Sequence, residues 1–210
     1  MVKIVVSGIL SGMFILIALG SAGPKSITYD IDLSEVEAPV DARDPYGETK
    51  VVKFADNDSS ITTYTYEDDY IHITWFVSSY YFEFALRNKS QYTLKINWAD
   101  ISYVDYNGHV ENVYLANQIQ PYALIPKDGT LIDRILPSIE MHWTSQTLNW
   151  TKDVFIPNAY SSHAKPESVA AKYIGKSMAI LMPISIEDVQ NDYIFTFDIK
   201  GFATPMPAQP

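Results

Sequence analysis

The sequence predicts an all-β fold, and three observations carry that expectation. Short runs of alternating apolar and polar residues recur along the chain. Turn signals separate them at short intervals. Only one stretch reads as a helix. Aromatic and β-branched residues dominate the runs, as strands prefer. With 47% hydrophobic and 19% charged residues, the 210-residue chain has a globular rather than a disordered composition. A core of this size buries roughly 70% of the unfolded surface, so the fold needs neither disulfide nor metal. Many short strands with one short helix give a β-sandwich.

The elements follow in order. Met1–Gly23 has one lysine, Lys3, then an apolar run from Ile4 to Leu19, then the small residues Gly20, Ser21, Ala22 and Gly23. This is the order of a secretory signal. As a helix the run would span about 24 Å, short of the roughly 30 Å hydrocarbon core. Cleavage after Gly20 or after Ala22 is expected. The alternative is an uncleaved signal anchor, in which Gly8 and Gly12 serve helix packing. Residues 24–59 read as an N-terminal strand, Ile27–Leu33, and an acidic linker, Ser34–Glu48, followed by a short strand, Thr49–Ala55, and a turn, Asp56–Ser60.

Residues 60–202 form the expected sandwich domain. Tyr70–Val77 and Tyr80–Leu86 are strands separated by Ser78-Ser79, and Arg87–Ser90 is a turn. Tyr92–Trp98 puts Tyr92, Leu94, Ile96 and Trp98 on one face. Ile101–Asp105 and Val110–Leu115 flank a turn centred on Asn107-Gly108. Ala123–Pro126 and Thr130–Pro137 are strands, with Pro121, Pro126 and Pro137 marking strand ends or edges. Ile139–Trp143 is a short strand, and Thr144–Pro166 is irregular. Pro166–Gly175 starts with proline and ends with glycine, which suits a helix of two turns. Lys176–Ile186 and Asp192–Phe202 are strands, with Val189–Asp192 as the hairpin turn. Residues 203–210 are a disordered or extended proline-rich tail.

The stretch Val104–Glu111 gathers an Asp, an Asn, a Gly, a His and a Glu. A calcium-binding EF-hand loop starting at Asp105 would need Gly at position six and Glu at twelve. Here Gly108 falls at four and Ala116 at twelve. A hairpin bend fits instead, and Asn107-Gly108 is the pair a type I′ turn prefers, because both central residues then need positive φ.

Other chemistry is sparse. With no cysteine, thiolate metal sites, a cysteine nucleophile and redox roles are excluded. His72, His109, His142 and His163 show no local metal spacing. Glu67, Asp68 and Asp69 form an acidic knot, read as a solvated turn, with weak calcium binding as the alternative. No G-x-S-x-G, P-loop or G-x-G-x-x-G occurs. No cofactor and no metal are expected. The net charge of −10, with scattered Lys and Arg, argues against nucleic acid as a partner. Trp75 and Trp98 stand in alternating strands and are assigned to the core. Trp143 and Trp150 lie in or beside the irregular segment and are the candidate aromatic binding surface. Asn57, Asn88 and Asn149 head N-x-[ST] sequons, glycan acceptors if the host glycosylates exported proteins; Asn88 also falls in a turn.

Residues 60–200 resemble a group of uncharacterised bacterial envelope proteins, many of them lipoproteins. The resemblance rests on an acidic turn, then Ile71 and Ile73, then Phe84, Leu86, Asn88, Lys89 and Ser90, then Ile96 and Trp98, then Val104, Asp105 and Gly108. Residues 124–137, 173–176 and 192–199 add further matches. The resemblance implies an immunoglobulin-like β-sandwich outside the cytoplasm, and no activity. Many of the group carry a lipid-anchored cysteine, which this chain lacks. The expected function is therefore a non-catalytic binding protein, extracytoplasmic (secreted, periplasmic or at the cell surface), whose partner is a protein or glycan of the cell envelope. Membrane contact is expected only through an uncleaved N-terminal segment. A subunit of a surface assembly that keeps that segment is the second reading. A glycan-directed hydrolase using Asp100, Asp105 or Asp133 is the third.

Overall fold

The computed structural model describes residues 25–39, 50–55, 62–115, 120–137, 141–144, 149–152, 155–157, 159–160 and 165–203. The signal segment, the turn at residues 56–60 with Asn57, His163 and most of the tail lie outside them. No helix among the described residues is long and apolar enough to cross a membrane.

The chain is all-β. Its strands are β1 (Lys25–Ser26), β2 (Thr28–Glu37), β3 (Lys50–Ala55), β4 (Thr62–Glu67), β5 (Ile71–Val77), β6 (Phe82–Asn88), β7 (Leu94–Asn97), β8 (Ser102–Val104) and β9 (Val110–Leu115). They continue with β10 (Tyr122–Ile125), β11 (Thr130–Pro137), β12 (Met141–Thr144), β13 (Asn149–Lys152), β14 (Ala159–Tyr160), β15 (Ser177–Ile186) and β16 (Val189–Ala203). Among the described residues the one α-helix, α1 (Pro166–Ala170), is shorter than the two turns expected. Its register gives way to a turn that ends at Gly175, where φ is +82°.

Twelve strands join in one sheet whose hydrogen bonding is continuous. One half runs β2, β16, β15, then β7 with β10 and β8 with β9. The other runs β11, β6, β5, β4, β3. β9 and β11 pair at Leu115 and Ile135 and carry the sheet from one half to the other. The halves face each other across a single core. Trp75 of β5 lies 5.0 Å from Phe195 and 5.6 Å from Phe197 of β16, ring centre to ring centre. Phe82 lies 5.2 Å from Phe197. Such aromatic pairs contribute about 0.5–1.5 kcal/mol each beyond their buried area. On the far side the sheet is nearly closed, where the Tyr64 hydroxyl of β4 donates to Asp32 of β2 at 2.6 Å.

The alternation of residues explains these strands. In β5, Ile71, Ile73 and Trp75 are buried while the residues between them are half-buried. Leu94 and Ile96 are buried with Trp98, which opens a 3-10 turn, whereas Tyr92 points to solvent. β4 was not expected. Its Thr-Thr-Tyr-Thr-Tyr alternation buries Tyr64 and Tyr66, so the signal was present but lay beside an acidic knot that reads as loop. β2 runs on to Glu37, into the acidic stretch expected to be linker, because β16 offers a long paired edge. The stretch from Thr144 to Pro166 holds β13 and β14, with a plug between them. Phe155 and Ile156 are buried there, and Phe155 stacks on Phe82 at 4.9 Å.

Pro183 sits inside β15, opposite Asp192. β8 pairs residues 179–181 of β15, and β7 pairs residues 185–186 on the same edge. The proline's missing N–H falls in the gap between them, so no ladder bond is lost.

Two turns differ from expectation. Asn107-Gly108 does not form a type I′ turn, since only Gly108 has positive φ, at +86°. Tyr106–Gly108 is a three-residue loop in which the Gly108 N–H donates to the Asp105 carbonyl at 2.9 Å. It is a turn followed by a left-handed glycine. The Asp105 carboxylate selects it by accepting the N–H groups of Asn107 and His109, both at 2.8 Å. The β15–β16 hairpin turns at Glu187-Asp188 rather than at Val189–Asp192, and Ile186 pairs with Val189. Here both central residues have positive φ, +48° and +65°. Side chains other than Gly, Asn and Asp are strained there by roughly 1–2 kcal/mol. The double substitution Glu187→Asn with Asp188→Gly is expected to stabilise the protein by about 1 kcal/mol, raising the melting midpoint by about 2–4 °C in a calorimetric scan.

Candidate functional site

Three turns meet at one end of the β3–β4–β5–β6–β11 half, and between them lies an open groove of about 390 Å³. Glu67, His72, Arg87, Lys89 and Asp128 line it. The strand register creates most of this set. Glu67 of β4 lies opposite His72 of β5, and His72 lies opposite Arg87 of β6. All three face outward because Tyr66, Ile71 and Leu86 take the inward positions beside them.

Two buried polar side chains fix the turns beneath this row. Asp68 opens the β4–β5 turn and is only 6% exposed. Its Oδ1 accepts the N–H groups of Tyr70 and Ile71, both at 2.8 Å. Its Oδ2 accepts the hydroxyls of Tyr66 and Tyr193, both at 3.0 Å. The acidic knot is thus not a solvated turn at its centre, because Asp68 ties the turn to β16 in the other half of the sheet. Burial pushes the Asp68 carboxyl above the usual range, and its four hydrogen bonds offset this only in part.

Asn88 ends β6 and is fully buried. Its Nδ2 donates to the carbonyls of Tyr92 at 2.6 Å and Ile125 at 2.9 Å. Its Oδ1 accepts from the Ser90 N–H at 2.8 Å and the Ser90 hydroxyl at 2.7 Å. The sequon at Asn88 therefore serves the fold, with its acceptor nitrogen committed to two main-chain carbonyls. Peptide mapping of protein made in a glycosylating host is expected to find Asn88 unmodified.

Main-chain bonds join the three turns. The Lys89 N–H donates to the Tyr70 carbonyl at 2.8 Å, linking the first turn to the second. The Asn88 N–H donates to Gly129 at 2.9 Å, and the Asp128 N–H to Asn88 at 3.1 Å, linking the second to the third. Gly129 cannot carry a side chain, since a Cβ there would stand 2.8 Å from the Pro126 carbonyl oxygen. The groove is pre-organised in this sense.

The charges pair across it. Glu67 holds Lys89 at 2.7 Å and the His72 Nδ1 at 3.4 Å. Lys89 beside Glu67 holds its carboxyl below the usual range, and His72 adds to this. Arg87 meets Asp128 at 3.4 Å, with both side chains more than half exposed. Beside the groove on the same face, Ile132 is 65% exposed and lies opposite Ala85, which lies opposite Thr74.

Of the residues singled out from the sequence, Glu67 and His72 line the groove and Asp68 and Asn88 lie beneath it, while the others fall elsewhere. Trp75 and Trp98 are buried in the core. Trp143 and Trp150 occupy directly opposed positions in the β12–β13 pair, and Asn149 lies beside Trp150 in β13. Asn107 and Gly108 shape the β8–β9 turn, where the Lys176 ammonium donates to the Asn107 side chain at 3.2 Å. Asp100 is exposed in the 3-10 turn and bonded to Asn97. Asp105 caps its own turn. Asp133 is buried on β11 opposite Phe84. No group of three or more His, Asp or Glu that could hold a metal ion forms among the described residues. The groove itself was legible only in part. His72 and Arg87 carry no local motif and meet only through strand register, while Lys89, within the Asn88 sequon, joins them through the bond of its N–H to the Tyr70 carbonyl. No protein-family model, curated protein or solved structure matches the chain.

Proposed function

We propose that this is an exported, non-catalytic binding protein of the cell envelope, built as an immunoglobulin-like sandwich, that holds a protein or glycan partner. One observation carries the reading. Three mutually hydrogen-bonded turns, locked from below by Asp68 and Asn88, present a charged groove beside the exposed Ile132. Pre-organised polar groups next to an apolar surface are what recognition requires. The two facing halves of the sheet support the sandwich reading. The signal-like N-terminus and the resemblance of residues 60–200 to envelope proteins support the location.

The test pairs two measurements on the mature protein, crosslinking in its own cells and a glycan array. A specific partner in either is expected. A mature protein that captures nothing in its envelope and binds no glycan would sink the proposal.

A further inference from the structure

The geometry points to the Arg87 groove as a site for the anionic group of an acidic glycan, held by Arg87, His72 and Lys89. This rests on the binding-protein reading and names the ligand class it would take.

Donors outnumber acceptors in the groove. A guanidinium has five N–H donors, and Arg87 spends them on a single 3.4 Å contact with Asp128. An ammonium has three, and Lys89 uses them on the Asp68 carbonyl and Glu67, leaving one over. His72 meets Glu67 through Nδ1, so Nε2 is not used in that contact. Glu67, by contrast, has both oxygens engaged. A ligand rich in acceptors satisfies what remains.

Register adds a second reason. Arg87 stands directly opposite His72 across one strand pair, so their ring and guanidinium N–H donors sit side by side where one anion can accept from both. A carboxylate or phosphate also fits the planar fork of arginine with two parallel hydrogen bonds. Within the groove Lys89 is closely paired with Glu67 at 2.7 Å, whereas Arg87 is held by one 3.4 Å contact with Asp128, so Arg87 is the cation most open to an anion. The volume of about 390 Å³ suits a small ligand or a sugar unit rather than the face of a protein. Ile132, Ala85 and Thr74 provide an adjoining surface for the C–H face of a sugar ring.

The test is calorimetric titration of the whole purified protein with three probes: tetragalacturonate, neutral cellotetraose and inorganic phosphate. Tetragalacturonate is expected to bind and cellotetraose is not. Arg87→Met is expected to weaken binding about tenfold or more, the loss of a charge-assisted hydrogen-bonded pair. Arg134→Met removes a cation from the same face outside the groove, where Arg134 pairs with Glu83, and is expected to leave affinity unchanged. Arg87→Gln, with the same expected loss, takes the place of Arg87→Met if a thermal melt shows that variant misfolded. Phosphate binding that Arg87→Met abolishes, without tetragalacturonate binding, keeps the anion site and assigns it to a phosphate-bearing glycan. Binding of neither anion, or equal losses in the Arg87 and Arg134 variants, would overturn the inference. An envelope partner that still binds the Arg87→Met protein would overturn it too, while leaving the binding-protein reading intact.

Discussion

Replacing Asp68 by alanine is expected to destabilise the protein by about 3–4 kcal/mol, because it strands four donors below the surface. Two are the hydroxyls of Tyr66 and Tyr193, and two are the main-chain N–H groups of Tyr70 and Ile71. Chemical denaturation would read the loss as a lower midpoint at unchanged slope. Asp68→Asn is expected to cost only about 1 kcal/mol, since its carbonyl still accepts the two N–H groups and the hydroxyls can turn to accept from the amide. The pair also carries a pH signature. Burial raises the Asp68 carboxyl in the folded state, so the folded protein holds this proton more tightly than the unfolded chain. Its contribution to stability is fully present below the unfolded carboxylate range and is lost as pH rises through the folded value. Asp68→Asn lacks this loss. Its stability relative to the parent should therefore improve from acid to neutral pH. A constant difference across that range would show that the buried carboxyl does not titrate as described.

Asn88→Ala is expected to cost about 3 kcal/mol, as two carbonyls and the Ser90 donors lose partners in a place water does not reach. Asn88→Asp has the same shape and should be no better at neutral pH. It sets a buried carboxylate against the carbonyls of Tyr92 and Ile125, which want donors. Acidification should recover part of its stability, because the protonated carboxyl regains one donor. Both variants should also loosen the β10–β11 turn, since the Asn88 amide holds the Ile125 carbonyl where β10 enters it. Faster amide exchange at Asp128 and Gly129 would report this, and unchanged exchange there would separate the asparagine from the groove's rigidity.

Much of the fold was legible because alternation at period two survives in the sequence wherever one face is buried. Tyr70–Val77 and Asp192–Phe202 show it plainly, and both fold as strands. Turns were less legible, since their geometry depends on partners far along the chain. Asn107-Gly108 prefers a two-residue turn by itself, but the Asp105 carboxylate and Lys176 stabilise a longer one. Glu187-Asp188 is a poor pair for a type I′ turn, and the ten-residue register of β15 with β16 imposes it. The groove was the least legible feature. Asp68 looked like part of a solvated acidic run, and its bond to Tyr193, 125 residues away, ties it into the other half of the sheet.

Native mass spectrometry of the protein purified from its own cells in mild detergent tests the central claim most directly. The account predicts a chain cut after Gly20 or Ala22, without a glycan on Asn88, and carrying a bound glycan or protein partner. The partner should be lost when Arg87→Met protein is purified in the same way. A chain that retains Met1 and its apolar segment, assembled only with copies of itself, would contradict the account and make the protein an assembly subunit instead.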